Sequence, residues 1–175
     1  VPALRLSYHD LSARLKQLFA YCCLIPKDYV FKKDDLILWW MAEGFLHNST
    51  TEKSMERLGE EYFQELLSRS FFQQVPDDES LFVMHDLMND LATFVAGEFY
   101  SRLDIEVEKN VRKEAFKKYR HMSFVCEKYM TYNKFKAFER ANSLRTFLAM
   151  PNVVGDDSWQ FYLSSKILVD TLPQL

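Results

Sequence analysis

Two short apolar runs separated by a turn constrain the fold more than any other feature of this sequence. The runs are "FFQQV" (71–75) and "LFVM" (81–84), and the intervening "PDDES" has the composition of a turn, so we predict a β-hairpin. Three stretches with apolar residues at steps of three and four precede it, which predicts three helices. Three helices followed by a hairpin are typical of a winged-helix unit. We therefore predict a mainly α fold, a helical bundle plus a β-hairpin wing.

The predicted helices carry start and stop signals of the usual residue types. Small polar residues accept hydrogen bonds from the free N–H groups of a helix start, while proline and glycine end helices. The predicted caps are Ser12, Asp34 or Asp35, and a capping box of Ser49 with Glu52, and the predicted stops are Pro26 and Gly44.

Apolar spacing also predicts which face of each helix is buried. A fourth helix is predicted from Asp86 to about Glu98, after the hairpin, with one apolar face formed by Leu87, Leu91, Phe94 and Val95. The stripe of the helix before the hairpin is predicted to comprise Met55, Leu58, Tyr62, Leu66 and Leu67.

The character of the sequence changes after residue 103. Residues 104–118 mix basic and acidic side chains and predict a charged linker. In 119–175, "HMSFV" and "LRTFLAM" predict short strands, with helical pieces around 135–141 and over 159–170. The distance from His121 to Leu144 falls within the period of leucine-rich repeats. We predict three regions: a winged helix over 1–103, the linker, and the start of a leucine-rich-repeat α/β region.

Charge and cysteine usage exclude several function classes. The net charge is −3 and the pI about 5.8, and acidic residues crowd the predicted second and third helices, so we expect no direct DNA binding. Cys22, Cys23 and Cys126 form neither a zinc-ligand pattern nor a disulfide framework, which predicts a reducing, cytoplasmic setting. No apolar run approaches 18 residues, so no membrane span is expected. Because the chain begins at Val1 within a helical pattern, we interpret it as a fragment of a longer protein.

The segment "FVMHDLMNDLA" (82–92) carries the main chemical signal. It places His85 and Asp86 where the hairpin ends and the fourth helix begins. In one interpretation Asp86 is a helix cap and His85 only a strand end. In the other, the positive helix end attracts phosphate and His85 donates a hydrogen bond to it. Spacing alone does not choose between them, and "GxxxxGK[ST]" is absent, so a phosphate cradle would have to lie upstream.

A family resemblance bears on that choice. The segments "FAYCCLIPKDYVF" (19–31), "LILWWMAEGFL" (36–46), "GEEYFQELLSRSFFQ" (59–73) and "FVMHDLMNDLATFVAGEF" (82–99) occur in this order. They resemble the winged-helix subdomain of the NB-ARC module in plant nucleotide-binding, leucine-rich-repeat disease-resistance proteins of the coiled-coil, non-TIR class. The resemblance covers roughly residues 3–103, and the later segments are similar to the region leading into that family's repeats.

The resemblance implies a role in a nucleotide switch. Met84, His85 and Asp86 align with the family's MHD motif, in which the histidine reaches the β-phosphate of bound ADP and the aspartate supports it. ADP or ATP would be shared with an upstream nucleotide-binding domain, the downstream repeats would be further partners, and exchange for ATP would permit oligomerisation. No catalytic residue is expected in this segment. The alternative is a helical protein–protein interaction module, docking through residues after 104, with no nucleotide role.

Overall fold

The structure is a computed structural model that describes residues 2–47, 53–103, 118–126 and 143–151. Its backbone contacts divide the chain into two units, Val1–Val95 and Ala96–Leu175. The domain boundaries predicted at residues 103 and 118 stay predictions, since the predicted linker lies almost entirely outside the described ranges.

The first unit is a winged helix. Its described residues form five α-helices and one antiparallel sheet of three strands in the order β1-β3-β2, which confirms the predicted mainly α fold and its hairpin. The helices are α1 (Pro2–His9), α2 (Ala13–Tyr21), α3 (Lys33–Ala42), α4 (Met55–Ser68) and α5 (Asp86–Ala96). The strands are β1 (Phe31–Lys32), β2 (Gln73–Val75) and β3 (Asp78–Val83).

Two of the helix starts that the structure describes have a serine cap. The N–H of Leu15 donates to the hydroxyl of Ser12 at 3.3 Å, which confirms Ser12 as the N-cap of α2. In α4 the N-cap is Ser54, which was not predicted. The predicted capping box of Ser49 and Glu52 lies outside the described residues.

The start of α3 contradicts the prediction made for it. Neither Asp34 nor Asp35 is the cap, because the helix begins at Lys33 and its N-cap residue is Lys32, which makes no side-chain capping bond. Both aspartates lie instead in the first turn, where a negative charge favours the positive end of the helix. The predicted stop at Gly44 is confirmed: its φ is +73° and its N–H donates to the carbonyl of Met41.

The sheet packs on α4 through a cluster of phenylalanines. The ring centroid of Phe63 lies 5.3 Å from that of Phe72 and 4.8 Å from that of Phe82, and Phe31 joins the cluster from β1. Phe63 was not predicted on the buried face of α4, whereas Met55 was, and Met55 is 43% exposed. The buried face is therefore rotated from the predicted one, toward the aromatic inner face of the sheet.

The second unit contains a parallel sheet with the strand order β4-β5-β6. Its strands are β4 (Tyr100–Leu103), β5 (His121–Cys126) and β6 (Thr146–Pro151). β5 and β6 confirm the two predicted strands, while β4 was missed. The first residues of β5 and β6, His121 and Thr146, are paired and lie 25 positions apart in sequence. The predicted helical pieces near 135–141 and 159–170 lie outside the described residues.

Candidate functional site at the junction of β3 and α5

The predicted site residues lie at the junction of β3 and α5. Met84 is buried, 2% exposed, and joins the core as a packing residue. The next two residues, His85 and Asp86, are both exposed. The chain therefore turns at Met84 from a strand of the sheet to a helix whose first two residues are exposed.

His85 is the residue that caps α5. Its ring Nδ1 accepts a hydrogen bond from the N–H of Leu87 at 3.3 Å. Its carbonyl accepts from the N–H groups of Met88 at 2.8 Å and Asn89 at 3.0 Å. The interpretation with Asp86 as the cap is therefore wrong: Asp86 is the first residue of the helix itself. The reason is that the imidazole nitrogen takes the acceptor role that a carboxylate oxygen usually fills.

The capping bond is compatible with one tautomer of a neutral His85 ring. A nitrogen that accepts a hydrogen bond is unprotonated, so the neutral ring holds its hydrogen on Nε2. This N–H group lies on an exposed side chain beside the positive end of α5. The arrangement can donate a hydrogen bond to an anion, and Asp86 adds a negative charge that stabilises the same helix end.

The position of α5 is fixed by a buried hydrogen bond that sequence reasoning missed. The side-chain amide of Asn89, 0% exposed, donates to the carbonyl of Ile25 at 2.7 Å. At the surface, the next residue of α5, Asp90, forms an ion pair with Lys27 at 2.7 Å. Both contacts join α5 to the "IPKD" turn (25–28). The sequence signal was a polar residue within an otherwise apolar stripe of a helix.

The buried face of α5 differs from the predicted one. Met88, Leu91 and Ala92 are buried, while Leu87 is 45% and Phe94 is 69% exposed. The ring of Phe94 is covered in part by the guanidinium of Arg5, 5.0 Å from the ring centroid.

The remaining candidate chemistry in the described part of the chain is structural. Cys22 and Cys23 are buried, and burial is the main cause that raises the pKa of the Cys22 thiol. A buried thiol of raised pKa is a poor nucleophile, so these side chains pack in the core. The described ranges hold no group of three or more His, Cys, Asp or Glu side chains suited to a metal ion. None of the helices that the structure describes has the length and apolar character needed to cross a membrane.

A winged helix whose hairpin runs directly into a histidine-capped helix defines the class of this domain. Comparison with known proteins gives the family. Residues 24–92 match the family described as "Disease resistance protein Winged helix domain", and they belong to it.

Relatives among plant disease resistance proteins extend the similarity beyond these residues. The chain is 41% identical over all of its 175 residues to the "Putative disease resistance RPP13-like protein 1" of Arabidopsis thaliana. It is 40% identical over 166 residues, 89% of the chain, to the "Disease resistance protein RGA2" of Solanum bulbocastanum. In each case the chain spans 16% of the relative's length. The chain therefore corresponds to a small part of these proteins.

Proposed function

We propose that this chain is the winged-helix part of a plant immune receptor that switches between ADP-bound and ATP-bound states, with His85 holding the ADP-bound resting state. The nucleotide would be shared with an upstream nucleotide-binding domain. The parallel strands β5 and β6 would begin the downstream leucine-rich repeats, and the active form would oligomerise. The buried thiols of Cys22 and Cys23 fit the reducing environment of the cytoplasm, where we place the receptor.

The observation that carries the proposal is the hydrogen bond from the N–H of Leu87 to Nδ1 of His85. It leaves Nε2–H of the neutral ring as a donor on an exposed side chain, at the end of a helix that favours negative charge. A phosphate oxygen is an acceptor of the matching chemistry.

The size of the expected effect follows from the energy of such a bond. A hydrogen bond to a charged group contributes about 1.5–3 kcal/mol, and 1.4 kcal/mol corresponds to a tenfold change in affinity. A ligand shifts a conformational equilibrium only by its differential affinity for the two states. One donor made available to ADP only in the closed state would therefore bias the switch roughly tenfold or more.

The test uses a chimera in which this chain replaces the matching region of the Arabidopsis RPP13-like protein. Three forms would be compared: unchanged His85, His85→Asn and His85→Ala. Asparagine caps helices well but is too short to place a donor where Nε2 lies. It therefore separates the capping role from the phosphate role, while alanine removes both. Nucleotide that copurifies with each protein and the rate of ADP release would be measured.

We expect both variants to release ADP roughly tenfold faster or more, with the asparagine form keeping the thermal stability of the unchanged chimera. Equal ADP retention in all three stable proteins would exclude a nucleotide role for His85. That outcome would favour the alternative of a protein-interaction module.

A further inference from the structure

Asn89 is a fully buried polar residue of the described winged helix. Its side chain joins α5 to another part of that unit. Neither the capping of α5 nor the proposed contact of His85 with phosphate requires an amide at this position. A core of this kind usually fills such a position with an apolar side chain, because an amide must find a partner when it is buried.

We infer that Asn89 is a positioning residue for the nucleotide switch, one that sets where His85 lies by fixing α5 against the "IPKD" turn. This inference rests on the proposed function of His85. Asn89 lies one turn into the helix. Its backbone N–H donates to the carbonyl of His85 at 3.0 Å. Its side chain meanwhile donates to Ile25 at 2.7 Å. One residue thus joins the histidine's own backbone to a fixed point in the core.

The geometry of the second contact supports the same role. The carbonyl of Ile25 directly precedes Pro26, and Ile25 is 1% exposed, so the acceptor belongs to a rigid, buried part of the chain. The ion pair between Lys27 and Asp90 joins the same two segments at the surface. It is half exposed, and ion pairs of that kind contribute little by themselves. The buried amide therefore adds a directional restraint on the first turn of α5 to the packing of its apolar side chains.

A positioning role makes a prediction that a merely stabilising role does not. If Asn89 acts through His85, its loss should have no further effect on ADP once His85 is gone. If it only stabilises the fold, its loss should weaken ADP and ATP binding alike and should add to the loss of His85.

The experiment uses the chimera with the RPP13-like protein, and the probes are ADP and ATP themselves. The variants are Asn89→Leu, which keeps the number and branching of the side-chain heavy atoms and removes the donor, His85→Ala, and the double variant. The matched control is Thr93→Val. The hydroxyl of Thr93 donates to the carbonyl of Asn89 at 2.9 Å, so this change removes a hydrogen bond within α5 and leaves the contact with Ile25. Dissociation constants for both nucleotides and melting temperatures would be measured for each protein.

We expect Asn89→Leu to weaken ADP binding several-fold, with ATP binding changed much less, and the double variant to match His85→Ala. Thr93→Val should leave the ratio of the two affinities unchanged. Equal weakening of ADP and ATP, or additive losses in the double variant, would overturn the positioning role. If His85→Ala itself leaves ADP binding unchanged, the proposed function fails. If His85→Ala weakens ADP binding and Asn89→Leu does not, only the inference about Asn89 fails.

Discussion

Ser70 ends α4 in the same left-handed backbone conformation in which Gly44 ends α3, with φ values of +63° and +73°. Both helices close with the same pair of bonds. Gly44 and Ser70 donate their N–H groups to the carbonyls of Met41 and Leu67 at 2.9 Å. Phe45 and Phe71, the residues that follow, donate their N–H groups to the carbonyls of Trp40 and Leu66 at 3.0 Å. This is the Schellman arrangement, which favours glycine because other residues are strained there.

Ser70→Gly should therefore stabilise the winged helix. Relief of the strained backbone is worth about 1–2 kcal/mol, and the greater freedom of glycine in the unfolded chain offsets roughly half of it. We expect a net gain of about 0.5–1 kcal/mol in the free energy of unfolding, measured by urea titration with tryptophan fluorescence. Gly44→Ala is the reverse control. An added Cβ has open space there, so no clash contributes, and the expected net loss of about 0.5–1 kcal/mol reports backbone strain less the freedom removed from the unfolded chain. No gain in Ser70→Gly would contradict the strain argument.

Gly59→Ala should destabilise the protein although alanine is the better helix former. An added Cβ would lie 2.6 Å from Cγ2 of Ile37 and 2.9 Å from a methyl of Leu46. Overpacking costs about 1–3 kcal/mol, against about 1 kcal/mol gained in helix propensity. Because Cγ2 of Ile37 is close to the backbone of α3, it has little room to yield. The free energy of unfolding should fall by about 1 kcal/mol.

A second substitution tests whether that contact is the cause. Ile37→Ala removes the crowded atoms, so Gly59→Ala should cost less in that background than in the unchanged protein. A double-mutant cycle measures the difference. Strict additivity would show that the closeness of Gly59 to α3 does not decide the outcome.

Asp86→Val should shift the proposed switch toward its active state. Asp86 stabilises the positive end of α5 by about 0.3–1 kcal/mol, and its loss loosens the turn that presents His85. In the chimera we expect less copurifying ADP. The matched control is Asp35→Val, which removes a first-turn aspartate from α3 instead. If both variants retain ADP equally, Asp86 has no supporting role at the site.

His121 should stay neutral far below the pH at which histidine usually gains a proton. Burial, followed by the charges of Arg145 and Arg120, lowers its pKa to about 4, and Nδ1 lies 2.8 Å from the hydroxyl of Thr146. Because the pKa in the folded state lies below the usual 6.5, the neutral His121 ring contributes fully to stability above about pH 6.5. This contribution is lost as the pH falls from about 6.5 toward 4.

The measurement is an NMR titration of the His121 ring. We expect a midpoint near pH 4, moved upward in Arg145→Gln because a repelling positive charge is removed. A midpoint near 6.5 in the folded protein would contradict the buried environment of this ring.

Local signals in the sequence predicted the features that depend on local chemistry. The N-cap at Ser12, the stop at Gly44 and the hairpin over residues 71–84 each follow from a few neighbouring residues, and the structure confirms them. Periodicity was less informative for α5, because "DLMNDLATFVA" has apolar residues on more than one side. The face toward the "IPKD" turn is buried, and only tertiary packing selects it.

Features that depend on distant partners could not be predicted in the same way. β1 has two residues and exists because Phe31 and Lys32 pair with Phe82 and Leu81. The role of Asn89 likewise depends on a carbonyl 64 residues away. At the candidate site, the sequence predicted the position of His85 but not its capping bond, since aspartate is the commoner cap. The role of His85 toward a nucleotide stays a prediction.

The strand order β1-β3-β2 has a mechanical consequence for the junction at His85. β3 is hydrogen-bonded along both edges, and it leads into the histidine after one buried residue, Met84. A strand that is hydrogen-bonded on both edges has little freedom to move, and the helix that follows it is also held in place. A displacement of His85 therefore requires the sheet and α5 to move with it, and the junction does not act as a flexible hinge.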